Sequence, residues 1–208
     1  MIRQIKNRFT EKVIFEAEIP DAMHGRMANR FLLEQAVAAG VNLTCANLCL
    51  FNLSGTNLFG VDLRETDLRA STLRGADMRG VKLQGADTRG ADFSGAELAG
   101  ADFFGARIDV NLSDAGIRNA KLRGAILRDG LTLVGKRPTL SIGPIGSVNR
   151  TIIAWVTDKG LRIGAGCFFG GREDFVKQIH ERHAGNAHAQ EYMAALALIE
   201  KHFELWGA

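Results

Sequence analysis

ADMRG VKLQG ADTRG ADFSG AELAG ADFFG, residues 76–105, is the stretch that decides the fold of this chain. Each block ends in glycine and, Thr88 excepted, is centred on a bulky apolar residue. Stepping outward by fives, that centre is Leu43, Leu48, Leu53, Leu58, Leu63, Leu68, Leu73, Met78 and Leu83, then Phe93, Leu98, Phe103 and Ile108. Two positions before it stands a mostly small residue: Ala46, Thr56, Ser71, Ala76, Ala86, Ala91, Ala96, Ala101 and Ala106. A period of five fits neither the helical repeat of about 3.6 nor the strand repeat of about 2. Regular glycines would also cost a helix roughly 1 kcal/mol each. The chain must therefore turn a corner every fifth residue, and a fixed short period marks a repeat architecture.

These blocks resemble the pentapeptide-repeat family, over about 90 of the 208 residues and about eighteen blocks. The resemblance implies a mainly β fold, a right-handed quadrilateral β-helix with four blocks to a coil. The central Leu or Phe and the small residue two before it would point inward. One large and one small side chain per face fill a narrow bore without voids. Coils stacked at roughly 4.8 Å would make a rod about 22 Å long. Each coil touches only its neighbours, so both ends need covering. The chain then divides into an N-terminal β/α cap (residues 1–40), the β-helix (41–130) and a small C-terminal α+β module (131–208).

Composition sets further bounds. Lys plus Arg number 26 against 23 Asp plus Glu, a formal charge of +3, which gives no strong pull toward nucleic acid or membrane. Direct nucleic-acid binding is not expected. The cysteines at 45, 49 and 167 make no disulfide framework, and neither a signal peptide nor a long apolar span is seen. A reduced cytoplasm is the expected location. Cys45 and Cys49 lack partner ligands, so no metal is expected there, and no cofactor is expected anywhere.

In the cap, Val13, Phe15 and Ala17 give an imperfect strand pattern within residues 9–19, ending at Pro20. Asn29 is expected to cap a helix running to Ala38, with Phe31, Leu32, Val37 and Ala38 on its apolar side. The opening IKNRFTEKVIFEAE is similar to the start of pentapeptide-repeat proteins found in phage genomes. The first coil, residues 41–60, is uncharged and places Asn42, Asn47, Asn52 and Asn57 just before its central residues. Leu50, Phe51 and Phe59 are its odd apolar residues, either covered by the cap or forming a contact patch.

The second coil changes character. Arg64, Arg69, Arg74 and Arg79 each follow the centre of successive faces, putting one arginine on every side at one level. Asp62, Asp67 and Asp77 lie two residues before three of them and are expected to pair with them. The resemblance brings one well-known activity: some family members imitate duplex DNA and occupy DNA gyrase or related enzymes. Such mimicry needs acidic rows down the rod, whereas residues 41–130 hold eleven acids and eleven bases, with Asp62, Lys82 and Asp102 on one face and Asp67, Asp87 and Arg107 on another. Thr88 interrupts an inward column, where its hydroxyl can bond the local backbone. From Ile108 to Leu112 the step is four rather than five, predicting a distorted corner near Asp109 and Val110.

The pattern stops near Gly130. Thr139–Ile142 reads as a strand leading into the Gly143-Pro144-Ile145-Gly146-Ser147 loop, whose backbone N–H groups could meet an anion. Residues 151–157 and 161–169 read as a hairpin joined at Asp158-Lys159-Gly160. Helices are expected at 172–183, presenting Phe175, Val176 and Ile179, and from Ala187, presenting Tyr192, Leu196, Ile199, Phe203 and Trp206. If the chain carries chemistry it lies here, with Cys167, His183, His188 and Tyr192 as the candidate cluster and His180 nearby.

Nothing in the rod supplies a nucleophile, an acid–base pair or a cofactor loop. The expected function is therefore non-enzymatic: a phage-encoded protein that binds and inhibits a host protein, a defence or DNA-processing enzyme, through the β-helix surface. The binding residues named are Arg64, Arg69, Arg74, Arg79, Phe59 and Phe104. Alternatives are a DNA-mimic modulator of a topoisomerase, a small-ligand binder or enzyme acting through the C-terminal module, and a structural component. A homodimer is also considered.

Overall fold

The computed structural model describes residues 1–109, 115, 120–127, 130–135, 138–147, 150–165 and 168–206. The chain forms two compact units, Met1–Lys121 with Ala125–Arg128, and Leu122–Gly124 with Asp129–Ala208.

The first unit is a β-helix. Residues just before each block centre bridge in parallel to the residue twenty positions on: Asn47 to Asp67, Asn52 to Thr72, Asn57 to Asp77, Asp62 to Lys82. Four blocks therefore make one coil. The central residue's N–H donates to the next coil, as from Leu48 to the Asp67 carbonyl at 2.8 Å and from Leu53 to Thr72 at 2.7 Å. Between blocks the chain closes a β-turn, for instance Ala76 N–H to the Leu73 carbonyl at 3.1 Å, with Gly75 at φ +62°. That positive φ is why glycine recurs every fifth residue. Leu50 holds the same conformation at φ +63° without being glycine.

The inward columns are as the period requires. Leu43 through Leu83, Phe93, Leu98 and Phe103 are all buried, as are Ala46, Ala76, Ala86, Ala91, Ala96, Ala101 and Ala106 between them. Where the small position is polar, its hydroxyl returns to the backbone: Thr56 to Leu53, Thr66 to Leu63 and Ser71 to Leu68, at 2.6, 2.7 and 2.6 Å. Thr88 differs from the sequence reading. Its hydroxyl donates to the Arg107 carbonyl of the next coil at 2.8 Å rather than to its own turn. The Thr88 N–H reaches the same carbonyl at 2.9 Å. Thr88→Val should therefore cost only about 1 kcal/mol in guanidinium unfolding, because the carbonyl keeps one donor. A loss above about 3 kcal/mol would show that the hydroxyl satisfies something the N–H does not.

One coil is short. Asp102 bridges Lys121 and Arg107 bridges Ile126, spacings of 19 rather than 20. The corner itself, including Val110 and Leu112, lies outside the described residues.

The N-terminal segment departs from the expected single strand. Strands β1 (Ile2–Asn7) and β2 (Val13–Glu18) form an antiparallel hairpin, with Ile5 opposite Phe15. β1 also pairs with β3 (Ala46–Asn47) of the first coil, Lys6 opposite Asn47. Helix α1 (Arg26–Ala38) begins three residues before Asn29 and has Gly25 at its N-cap, with no side-chain cap. Asn29 sits inside the helix and accepts a hydrogen bond from Arg3 at 2.8 Å. The buried face of α1 is Ala28, Leu32, Leu33 and Ala36, while Phe31 and Val37 are half-buried and Ala38 is exposed.

In the second unit, β4 (Thr139–Ile145), β5 (Arg150–Thr157), β6 (Gly160–Ala165) and β7 (Phe168–Gly170) form an antiparallel sheet in chain order. The strand expected over 161–169 is thus two strands, folding back so that Ala165 opposes Phe168. Helices α2 (Arg172–His183) and α3 (Ala187–Trp206) stand where the sequence places them. Their core joins Ile152, Ala154 and Ile163 of the sheet to Phe175, Ile179, Tyr192, Leu196 and Ile199. Trp206, read as part of that face, is exposed, and Phe203 is half-buried.

Candidate functional site

The outer surface of the β-helix is organised by one small device. In the first coil, the Oδ1 of Asn42, Asn47, Asn52 and Asn57 accepts the N–H of the residue two further on, at 3.0 to 3.1 Å. This is the local turn bond that Asn and Asp make best. From the second coil onward aspartate takes the same place and bonds the same N–H: Asp62 to Arg64, Asp67 to Arg69, Asp77 to Arg79 and Asp87 to Arg89. Because the residue two on is now arginine, the carboxylate also grips its guanidinium. Asp67 receives Arg69 Nε at 2.9 Å and Nη2 at 2.6 Å. Asp62, Asp77 and Asp87 repeat the fork with Arg64, Arg79 and Arg89.

The arginine girdle is therefore real in position but internally paired. Arg74 lacks the local aspartate, since Thr72 stands in its place, and reaches across to Ser94 Oγ at 3.0 Å and Asp92 at 3.5 Å. One column alternates in charge along the rod, running Asp62, Lys82, Asp102 and Lys121, with Lys82 3.8 Å from Asp62 and Lys121 3.4 Å from Asp102. Each side-on fork uses two of a guanidinium's five N–H donors, holds its plane, and leaves three for solvent or a partner.

One side differs from the rest. Asp67 and Asp87 are neighbours in the same column and are only 3% and 4% exposed. Arg69 lies 4.0 Å from Asp87 as well as on Asp67, so the two pairs interlock. Burial pushes both carboxyls up, but the arginine fork, the backbone N–H and the arginine charge outweigh it and hold them below the ordinary aspartate range. For Asp62 and Asp77 the fork to Arg64 and Arg79 is the leading cause of the same lowering. Cys49, beside this side, is a free, half-buried thiol raised by burial and then by Asp67.

Phe59 and Phe104 are 63% and 64% exposed, and the Arg79 guanidinium lies over the Phe59 ring at 5.3 Å. Leu50 is 73% exposed. Sequence reasoning missed two arginines outside the repeats. Arg8 donates to the Glu65 and Thr66 carbonyls, and Arg30 to those of Ser54 and Gly55. No local signal could have found them, because their acceptors are backbone groups distant in sequence. Arg89, by contrast, repeats the Asp-x-Arg spacing and was legible.

In the second unit, His183 stands 6.0 Å from His188 and 5.3 Å from Tyr192, ring to ring. Tyr192 is a core residue stacked edge-on against Phe175 at 6.1 Å. His180 is exposed. Cys167 lies outside the described residues. Of the segment read as a loop, Gly143 to Ile145 belong to β4, and the Gly146 N–H that could have met an anion donates to Glu191 at 2.7 Å. Among the described residues, no group of three His, Cys, Asp or Glu side chains is placed to hold a metal, and no helix is long and apolar enough to cross a membrane.

The family described as pentapeptide repeats matches residues 52–87 and 71–109, in 8 copies. Among solved structures, the chain is similar to a pentapeptide repeat protein of the Arabidopsis thaliana thylakoid lumen, with 26% identity over 42% of this chain and 61% of that one, at TM-score 0.40. It is similar to a pentapeptide repeat protein of Nostoc, 34% identical over 48% of this chain and 80% of that one, at TM-score 0.27. It also resembles QnrB1, a plasmid-mediated fluoroquinolone resistance protein, with 24% identity over 38% of each chain and TM-score 0.31. The chain thus spans less than two thirds of the Arabidopsis protein and of QnrB1. No curated protein matches it. The five-residue period, the four-block coil built on it and the eight matched copies agree: this chain belongs to the pentapeptide-repeat family.

Proposed function

We propose that this protein is a non-enzymatic binder, a right-handed, four-sided rod capped by its N-terminal hairpin and helix, that docks its outer surface on a protein partner. The observation that carries this reading is the set of guanidinium groups held flat by Asp62, Asp67 and Asp77, with an exposed phenylalanine beneath Arg79. Arginine and aromatic side chains dominate the energetics of protein interfaces. Here the arginines are pre-oriented, so less side-chain entropy is lost on docking. The partner chemistry that fits is a surface offering carbonyl and carboxylate acceptors around an apolar spot for Phe59. The similarity of residues 5–18 to phage-genome proteins motivates a phage origin and an inhibited host protein as the partner.

The topoisomerase-directed DNA mimic ranks second, because Asp62, Asp67, Asp77 and Asp87 are already gripped by arginines. An enzyme of the C-terminal module ranks third, since Tyr192 belongs to the core and Glu191 is spent on Gly146.

Affinity capture with the wild type and with Arg64, Arg69, Arg74 and Arg79 together replaced by alanine tests the reading. The wild type should retain one saturable protein partner and the variant should lose it, with affinity down about 100-fold or more for several hot-spot arginines. Equal capture by both proteins would remove the girdle from the function.

A further inference from the structure

Of the eight corners in the first two coils, four do without glycine although all eight have a positive φ. Cys45, Leu50, Glu65 and Ala70 stand at +60°, +63°, +57° and +53°, while Gly55, Gly60, Gly75 and Gly80 hold the others. The exceptions are not scattered. Cys45 and Glu65 border one edge, and Leu50 and Ala70 the other, of a single side of the rod, formed by residues 46–49 and 66–69. A bulky side chain in this conformation is strained, and such strain persists where packing or function holds it. Packing does not hold Leu50, which is 73% exposed. A strained leucine left in water combines two unfavourable features at one position, and a contact from outside the chain accounts for both.

The ion pairs of this side also show solvent something different. The side chains of Asp67 and Asp87 are 5% and 6% exposed, under arginines that are each 48% exposed. On two other sides Asp62 and Asp77 are 29% exposed beside Arg64 and Arg79. Where the anion is buried and the cation faces outward, a docking molecule meets positive charge although the pair is neutral. Arg107, one coil on in the column of Asp67 and Asp87, is exposed as well. The Leu50 N–H reaches the Arg69 carbonyl and the Ala70 N–H the Arg89 carbonyl, both at 3.0 Å, so an apolar corner runs beside the guanidinium groups. Glu65, an exposed acid of this side, stands at the far border, lying across Gly85. Resting on the reading of the rod as a binder, we propose that this side is the docking face and that its occupant is an acidic segment of a partner protein. An apolar residue of that segment seats on Leu50 and Ala70, and its carboxylates meet Arg69 and Arg89. Both guanidinium groups spend Nε and Nη2 on aspartate and keep Nη1 for such an acceptor.

The probe is a displayed library of random peptides of about sixteen residues, selected on the immobilised full chain. Enriched peptides should combine several Asp or Glu with an apolar residue and bind with a Kd of about 1–100 µM. Raising salt from about 50 to about 500 mM should weaken that binding about tenfold or more. Leu50→Gly should weaken it about tenfold or more while the guanidinium midpoint of the protein stays or rises, because glycine takes a positive φ without strain. Arg69→Gln with Arg89→Gln should weaken it as much, with an unchanged circular dichroism spectrum, whereas Arg64→Gln with Arg79→Gln should leave it intact. Enrichment without acidic residues would overturn the proposal, as would binding indifferent to Leu50→Gly. A midpoint lowered by Leu50→Gly would show that the leucine serves the fold, which also defeats it. Binding lost with Arg64→Gln and Arg79→Gln but kept with Leu50→Gly would move the docking face elsewhere and leave the binder reading standing. No enriched peptide at all would remove the acidic segment, while affinity capture with the girdle variant decides separately whether the rod binds a protein.

Discussion

Phe93→Ala should lower the unfolding free energy of the β-helix by about 3–5 kcal/mol, the range for a phenylalanine deleted from a packed interior. Phe93 is fully buried and meets Phe103 edge-on, ring centroids 6.3 Å apart. Among the described residues, the buried Leu73 precedes it by one coil in the same column. The coils are fixed to one another by hydrogen bonds on every side, so they cannot close in on the space left behind. A cavity that cannot collapse carries the full penalty on top of the lost transfer energy. Because each coil is stabilised only by its neighbours, damage in the middle should also broaden the transition or split it. Guanidinium unfolding followed by circular dichroism reads both effects. A loss below about 1 kcal/mol would mean that the bore is not close-packed at this level, contrary to the burial of every central residue around it.

The rod was legible because one large residue in five reports directly on an interior with room for one large side chain per turn. Leu43 through Leu83 needed no tertiary context to declare themselves. Ile2–Asn7 was not legible, since only two of its residues are apolar and its partners lie at 13–18 and 46–47. The run 161–169 alternates as one strand would, and the sequence carries no sign that it folds back so that Ala165 meets Phe168. Asn29 looked like a cap because it precedes an apolar run, yet its oxygen serves Arg3 across the unit. At the candidate surface, the Asp-x-Arg pairing could be read from spacing alone. What could not be read is depth: Asp62 and Asp67 look alike in sequence, and only one of them is buried. His183 and His188 come together simply because one short turn separates their helices.

Replacing Asp67 and Asp87 should separate two jobs that each carboxylate performs. The asparagines of the first coil show that the turn bond needs only an amide oxygen. Asp87→Asn should therefore keep the bond to the Arg89 N–H and lose the charged fork, at about 1 kcal/mol. Asp87→Ala loses both and leaves a backbone donor unmet, which should raise the cost to about 2–3 kcal/mol. The arginines are half-exposed and free to swing into water, so the penalty stays below that of breaking a fully buried ion pair. The pH dependence follows from the direction of the shifts. Both carboxyls are held lower in the folded state than their ordinary value of 3.8. Their contribution is fully present above 3.8 and is lost as pH falls through the lower folded values, because protonation of the unfolded chain is then favoured. The wild type should thus be flat in these groups from neutrality down to 3.8 and lose stability below it. The Asp67→Asn, Asp87→Asn double variant should start lower at neutral pH and show a shallower acid limb. An unchanged acid limb would show that other groups titrate there. Equal costs for Asp87→Asn and Asp87→Ala would show that the turn bond contributes nothing, leaving the recurrence of Asn and Asp before each block centre without a physical cause.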